Sequence, residues 1–122
     1  MEIYLQKRSA AAKLRPGYFG FFGGHAEEGE TPEETLEREI KEELDFIPKG
    51  YSLLERYESG DFVGHYYLLK VPDNFLKIIK VLEGDYGKFF NEKDVSVEER
   101  IFKEDKMILR RAFQMLRGST EK

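Results

Sequence analysis

The sequence predicts a single α/β or α+β domain built around a mixed β-sheet, and three observations support this prediction. Strand-like segments stand on both sides of one helix-like segment, and a second helix-like segment lies near the end of the chain. The chain has 122 residues, an ordinary size for one domain. Hydrophobic residues make up 40% of it, enough for a packed core, so a largely disordered chain is excluded.

The first elements are predicted to be two strands joined by a loop. Residues 3–8 alternate apolar and polar side chains, which is typical of a strand. Pro16 and Gly17 indicate a turn, and the aromatic run at residues 18–22 predicts a second, short strand.

A helix is predicted to begin after Thr31. Thr31 suits the N-cap, Pro32 suits the first helical position, and Glu34 completes a capping box. One face is apolar, because Leu36, Ile40 and Leu44 recur every four residues. Pro48 and Gly50 mark the end of the segment.

The second half of the chain predicts a hairpin, a further strand and a last helix. Residues 51–57 and 62–71 are predicted to form the hairpin, joined by a turn at Ser59, Gly60 and Asp61. Residues 75–82 fit either a helix or a strand. Phe89 and Phe90 follow a glycine-bracketed loop. The last helix covers about 104–117, with a predicted buried stripe of Met107, Ile108, Ala112, Met115 and Leu116.

Composition excludes several classes of protein. With 20 basic and 24 acidic residues the net charge is −4, which does not suit a protein that coats nucleic acid. The absence of cysteine excludes disulfides, cysteine-ligated zinc and a cysteine nucleophile. No apolar run approaches the roughly 20 residues of a membrane span, and the first residues lack a signal-peptide pattern. We therefore expect a cytoplasmic protein without a membrane partner.

The acidic residues are concentrated in and before the first helix. Between Glu27 and Asp45 there are ten acidic and two basic residues. Some acids are expected to form i, i+4 ion pairs, Glu34 with Arg38 and Glu37 with Lys41.

Three further carboxylates of this helix are expected to be poorly paired. Glu39, Glu42 and Glu43 share one face beside the apolar stripe, at spacings where like charges repel. A divalent cation such as Mg²⁺ would relieve that repulsion, and Gly23 and Gly24 just before the segment would allow close backbone approach to an ion or phosphate.

The spacing of these residues resembles the signature of the Nudix hydrolases, the MutT-like family. That signature is Gly, five residues, Glu, seven residues, then Arg-Glu-apolar-x-Glu-Glu-x-Gly-apolar. Here Gly24, Glu30 and the run from Arg38 to Phe46 match every fixed position except Asp45, which replaces a glycine at the helix C-cap. Looser similarity extends along most of the chain, with Phe22 where proline is commoner. The resemblance implies an α/β/α sandwich around a mixed sheet, in one domain over residues 1–122 with the signature at 24–46.

The resemblance also implies a role for each matching residue. Glu39, Glu42 and Glu43, helped by the Gly23 carbonyl, would hold Mg²⁺, for which Mn²⁺ could substitute. Glu30, Arg38 and Gly24 would support the loop and helix structurally. A further carboxylate would come from Glu83, or from Asp85, although Glu83 could equally be a turn acid. The general base would be one of the helix glutamates or Glu83.

Two residues outside the signature are candidates for substrate binding. Arg8 stands where some family members contact a substrate phosphate, and it could equally be a surface strand residue. Phe21 could stack on a base or belong to the core.

The family reaction implied by the resemblance is hydrolysis of a nucleoside diphosphate linked to another group, through attack of water on a bridging phosphate. The expected partner is a small nucleotide, a nucleoside triphosphate first, with ADP-ribose or a nucleotide sugar as the alternative. A polymeric nucleic acid is not expected. An inactive Nudix module that binds nucleotide or protein is the competing hypothesis, while the related isomerase chemistry needs a cysteine that this chain lacks.

Outside the signature, the residues typical of three substrate classes are absent from the expected positions. Residues 61–64 carry neither the proline typical of ADP-ribose hydrolases nor the tyrosine typical of dinucleoside polyphosphate hydrolases. The segment 103–105 lacks the asparagine with which some members read oxidised guanine.

A homodimer is a further expectation. In the family one more strand normally precedes the segment that resembles residues 3–8, and an open sheet edge favours pairing with a second chain. The alternative is that the true start of the protein lies upstream of Met1.

Overall fold

The computed structural model describes residues 1–13, 15–82 and 84–120, and it confirms an α+β fold. In chain order the elements are β1 (Ile3–Lys7), β2 (Phe19–Gly20), α1 (Pro32–Leu44), β3 (Ser52–Ser59), β4 (Phe62–Leu68), α2 (Phe75–Ile78), β5 (Tyr86–Phe90), α3 (Glu92–Val97) and α4 (Lys103–Thr120). They fall into two compact units: unit 1 comprises Met1–Phe21 and Gly84–Lys122, and unit 2 comprises Phe22–Glu83. Over the described residues, no helix combines the length and apolarity that a membrane crossing requires.

Unit 1 contains a three-stranded antiparallel sheet in the order β2-β1-β5. β1 pairs with β5 along its whole length, from Ile3 opposite Phe90 to Lys7 opposite Tyr86. It pairs with the two-residue β2 only near its end, where Lys7 lies opposite Phe19. The second strand is therefore shorter than the five residues expected.

The oligomeric state stays a prediction.

The core of unit 1 lies between one face of this sheet and helices α3 and α4. Its buried cluster consists of Leu5, Phe19, Phe90, Val95, Ile101, Leu109 and Phe113. The predicted stripe of α4 was partly wrong, because Met107 and Met115 are 63% and 44% exposed. Helical periodicity allows two neighbouring stripes that share Ile108 and Ala112. Packing selects the one that also buries Leu109 and Phe113.

Helix α3 was not predicted from the sequence. Its N-cap is Asn91, whose side-chain oxygen accepts a 2.8 Å hydrogen bond from the Asp94 N–H, and the Asp94 carboxylate accepts in return from the Asn91 N–H. This capping box starts a helix of only six residues, too short for apolar periodicity to reveal it.

A partly exposed arginine and a buried carboxylate form an ion pair in unit 1. Arg15 Nη1 lies 3.2 Å from Asp105 Oδ2, and the guanidinium stacks 3.7 Å from the Phe102 ring centroid. Asp105 is only 7% exposed, and this burial raises the pKa of its carboxyl although Arg15 opposes the shift. The Arg15 backbone has a φ of +51°, in the left-handed region that side chains other than glycine seldom adopt.

Unit 2 contains helix α1 and the antiparallel hairpin β3-β4. The hairpin closes through Gly60 and Asp61, with Ser59 opposite Phe62, as the sequence predicts. The segment that fitted either period forms the short helix α2, with Phe75 buried.

Both ends of α1 follow local sequence signals. The Thr31 hydroxyl accepts from the Glu34 N–H at 3.1 Å, and the Glu34 carboxylate accepts from the Thr31 N–H at 3.0 Å, so the predicted capping box is confirmed. Asp45 caps the other end in the left-handed conformation, at φ 51° and ψ 43°. Its carboxylate pairs with Lys41, so the expected Glu37–Lys41 ion pair is not the one that Lys41 forms.

Candidate active site

The loop before α1 is held to the helix by Arg38. Its Nε donates to Glu30 Oε2 at 2.7 Å and its Nη2 donates to Glu30 Oε1 at 3.0 Å, so the guanidinium grips both carboxylate oxygens. Nη2 also donates to the His25 carbonyl at 3.0 Å. Arg38 thus ties two points of the loop to the middle of the helix, and Glu34 is left to the capping box rather than to the expected pair with Arg38.

Glu30 collects further donors from its own loop and from α1. The Glu27 N–H donates to Glu30 Oε1 at 2.7 Å, and the Thr35 hydroxyl donates to the same oxygen at 3.1 Å. Together with Arg38, the largest cause, these bonds lower the pKa of Glu30 to about 2. Glu30 is therefore ionised at any pH near neutrality, and its hydrogen bonds make it a support of the loop.

Each of the two glycines of the loop lies beside a carboxylate of α1. Gly23 has a φ of +139°, and its N–H donates to Glu43 Oε1 at 2.7 Å. A Cβ on Gly24 would lie 2.5 Å from the Glu39 side-chain carbon Cδ. Gly23 is thus needed for its backbone conformation, and Gly24 because the Glu39 carboxylate occupies the space of a side chain.

The three carboxylates predicted to bind metal are better paired than the sequence suggested. Arg38 Nη1 lies 2.7 Å from Glu39 Oε1 and 3.4 Å from Glu42 Oε2. Glu43 is 3% exposed and accepts from the Gly23 N–H. The expectation of poor pairing was wrong because one guanidinium reaches two carboxylates while the backbone of the preceding loop serves the third.

The donor set fits a hard divalent cation in its chemistry. Glu39, Glu42 and Glu43 offer carboxylate oxygens, the ligands that Mg²⁺ prefers, within little more than one helical turn. In their present rotamers Glu39 and Glu42 turn toward Arg38, and the described residues contain no ready group of three metal-binding side chains. Arg38 contacts Glu39 through Oε1 and Glu42 through Oε2, so the second oxygen of each carboxylate could take part in coordination while Arg38 holds the first.

The other predicted site residues lie elsewhere in the chain. Glu83 lies outside the described residues. Its alternative, Asp85, is exposed in unit 1 and donates its N–H to the Lys7 carbonyl at 2.9 Å. Arg8 and Phe21 also belong to unit 1, where the Arg8 N–H bonds the Tyr18 carbonyl and Phe21 packs against the core.

Two contributors to the site were not predicted from the sequence. Thr35 bonds both Glu30 and the Thr31 carbonyl, and the His25 carbonyl accepts from Arg38. The position of Thr35 one turn after the N-cap, on the side of the loop, could have indicated its contact with Glu30. No sequence signal identifies a backbone carbonyl as a partner.

Known proteins share sequence similarity with this chain. The family model described as NUDIX domain matches residues 1–112. The chain is 40% identical over 57 residues to an 8-oxo-dGTP diphosphatase of Escherichia coli (strain K12), a match that covers 47% of this chain and 43% of that protein. It is 56% identical over 45 residues to an ADP-ribose pyrophosphatase of Methanocaldococcus jannaschii, covering 37% of this chain and 27% of that protein.

A solved structure extends the likeness to nearly the whole chain. The MutT NUDIX hydrolase from Burkholderia pseudomallei superposes with a TM-score of 0.72 over 90% of this chain and 87% of that chain. The two sequences are 23% identical, so this similarity shows a shared fold and nothing more. The matches to the two relatives above span less than half of the length of each. Since the family model covers nearly the whole chain, this protein belongs to the Nudix family.

Proposed function

We propose that the chain is a metal-dependent pyrophosphohydrolase that cleaves a phosphoanhydride bond in a nucleoside diphosphate linked to another group. The observation that carries the proposal is the arrangement of Glu39, Glu42 and Glu43 on one face of α1, held against the glycine loop by the Arg38–Glu30 pair. The names of the two relatives, an 8-oxo-dGTP diphosphatase and an ADP-ribose pyrophosphatase, support a small nucleotide as substrate. A nucleoside triphosphate or a similar nucleotide is our first candidate, and ADP-ribose or a nucleotide sugar is the alternative.

The electrostatics of the site favour a bound cation. A pyrophosphate chain is a polyanion, and three carboxylates would repel it at short range. Mg²⁺, or Mn²⁺ in its place, would neutralise phosphate oxygens and acidify bound water when held by these glutamates. A carboxylate close to neutral pH is ionised and can accept a proton, so one of the helix glutamates or Glu83 is proposed as the general base.

The chain's own backbone and Arg38 orient these carboxylates. The Gly23 N–H donates to one Glu43 oxygen at 2.7 Å, which fixes this carboxylate beside the glycine loop. Glu30 and its donors keep the guanidinium of Arg38 close to Glu39 and Glu42. Arg38 therefore acts as a positioning residue, while Arg8 and Phe21 are proposed to meet the substrate phosphate and base.

The test compares Glu42→Gln and Glu43→Gln with Glu34→Gln. Each change removes one charge from α1, but a glutamine at position 34 can still complete the capping box. We expect hydrolysis to fall on the order of 100- to 1,000-fold in the first two variants and to persist in the third. Release of phosphate and pyrophosphate would be measured with nucleoside triphosphates, ADP-ribose and nucleotide sugars, in Mg²⁺, Mn²⁺ and chelator.

Several results would count against the proposal. Near-wild-type turnover in the Glu42 and Glu43 variants would show that the metal-site assignment is wrong. Nucleotide binding without turnover on any substrate would favour an inactive binding module, and activity confined to nucleotide sugars would overturn the choice of nucleoside triphosphates.

A further inference from the structure

Three cationic side chains converge on one buried ring in unit 1. Lys7 Nζ lies 5.6 Å from the centroid of Phe19, Lys88 Nζ lies 5.9 Å from it, and Arg100 Cζ lies 5.1 Å from it. Phe19 itself is 2% exposed, so the ring forms the floor of the cluster. The faces of aromatic rings attract cations, but three like charges around one ring also repel each other.

The backbone holds this cationic cluster in place. Lys7 stands opposite Phe19 on β2 and opposite Tyr86 on β5, and Lys88 stands opposite Leu5 on β1. The Phe19 N–H donates to the Arg100 carbonyl at 2.7 Å, which fixes the third cation beside the sheet. The three charged side chains therefore extend from backbone that is held in place by hydrogen bonds.

Two nearby carboxylates offset part of the positive charge. Glu98 bonds Arg100, with its carboxylate accepting from Nε at 3.2 Å and from Nη2 at 3.1 Å. Asp94, which lines the same shallow depression as Lys88 and Glu98, is engaged in the capping box of α3. Among the described residues neither Lys7 nor Lys88 forms an ion pair. The cluster of three cations keeps a net positive charge beside Glu98 and Asp94, and its two ammonium groups lie outside any ion pair of the described residues, so they can bond a phosphate monoester.

An exposed aromatic ring lies beside Lys7. Tyr86 is 45% exposed, and Lys7 Nζ lies 5.4 Å from its ring centroid. A planar base can stack on such a ring while its phosphate meets the lysines, the combination of contacts by which proteins hold nucleotides without sequence preference. Unit 1 as a whole is also basic, with 13 basic and nine acidic residues, whereas unit 2 has seven and 15.

We propose that Lys7, Lys88, Arg100 and Tyr86 form a nucleotide-binding site, in which the three cations meet the phosphate group and Tyr86 stacks on the base. All four residues belong to unit 1, and none of them is among the residues proposed above to bind the metal. The site therefore requires no divalent cation. The proposal does not depend on the proposed hydrolase activity.

The test measures binding of AMP and of inorganic phosphate in chelator, by calorimetry and by backbone amide chemical shifts. The double variant Lys7→Gln/Lys88→Gln is compared with Lys13→Gln/Lys93→Gln, which removes the same charge from lysines of unit 1 outside the cluster. We expect the first double variant to lose at least about tenfold in AMP affinity, because two charge-assisted contacts disappear, and the second to bind as the wild type does. Tyr86→Leu should weaken AMP and leave inorganic phosphate unchanged.

The amide shifts keep the proposal testable even if the double variant does not fold. In the wild-type protein AMP should shift the amide signals of Lys7, Tyr86 and Lys88. Equal AMP affinity in both double variants, or shifts confined to other residues, would overturn the site. Equal binding of AMP and inorganic phosphate, unaffected by Tyr86→Leu, would show that the site takes free phosphate and would overturn the assignment to a nucleotide.

Discussion

Two arginine–carboxylate pairs, one in each unit, have opposite effects on their carboxyl groups. Glu30 in unit 2 accepts from two nitrogens of Arg38 and from two further donors, and its pKa falls to about 2. Asp105 in unit 1 accepts one 3.2 Å bond from Arg15 and is buried, and its pKa rises above the ordinary value. The comparison shows that an arginine alone does not determine the direction of a pKa shift. The number of hydrogen bonds to the charged form has to outweigh the loss of hydration.

Of the changes to these two pairs, Arg38→Lys is expected to have the largest effect. Lysine keeps the charge but cannot grip both oxygens of Glu30 while reaching Glu39. Loss of a group that orients metal-binding side chains typically costs about 10- to 100-fold in metal affinity or activity. We therefore expect the Mg²⁺ concentration needed for half-maximal hydrolysis to rise by about that factor.

The matched control for this change is Arg56→Lys, which alters an exposed ion pair with Glu58 in the same unit. It should leave the Mg²⁺ dependence unchanged. An Arg38→Lys variant that titrates with Mg²⁺ like the control would show that the two-bond grip on Glu30 is not needed to position the helix carboxylates.

A smaller effect, on stability, is expected from Arg15→Gln. The change leaves the Asp105 carboxylate buried without its cation, which should lower the free energy of unfolding by about 1–3 kcal/mol. Adding Asp105→Asn should restore part of the loss, because the unpaired charge is then gone. Urea unfolding of the two single variants and the double variant gives the coupling energy, and strictly additive effects would contradict a direct interaction.

The two carboxyl groups should change the free energy of unfolding in opposite directions as the pH falls. The pKa of Glu30 is about 2 in the folded chain, against an ordinary value of 4.5. Its contribution to the free energy of unfolding is therefore present above about pH 4.5 and is lost as the pH falls toward 2. The pKa of Asp105 is raised from 3.8 in the folded chain. Its contribution to the free energy of unfolding is therefore greatest below pH 3.8 and is lost as the pH rises through the pKa of the folded chain.

Unfolding free energies of wild type, Glu30→Gln and Asp105→Asn between about pH 2 and 7 would measure both contributions. The stability advantage of the wild type over Glu30→Gln should shrink on acidification, whereas its stability relative to Asp105→Asn should improve. Parallel curves for all three proteins would contradict the opposite signs.

The elements that the sequence predicted well are those whose signals are local. The capping box of Thr31 and Glu34 and the turn at Gly60 each depend on a few neighbouring residues. The spacing from Gly24 to Glu43 likewise lies within one loop and one helix, so the order of residues is enough to show its resemblance to the Nudix signature. Backbone sterics and short-range hydrogen bonds act within the same few residues in any tertiary context.

Tertiary structure alone decided which partners the charged groups take. Arg15 and Asp105 are 90 residues apart in the chain, and Arg38 forgoes the expected Glu34 for Glu30 and Glu39. The buried stripe of α4 was settled in the same way, by the sheet against which Leu109 and Phe113 pack. Long side chains reach several alternatives at similar local cost, and packing and desolvation, which depend on distant residues, select among them.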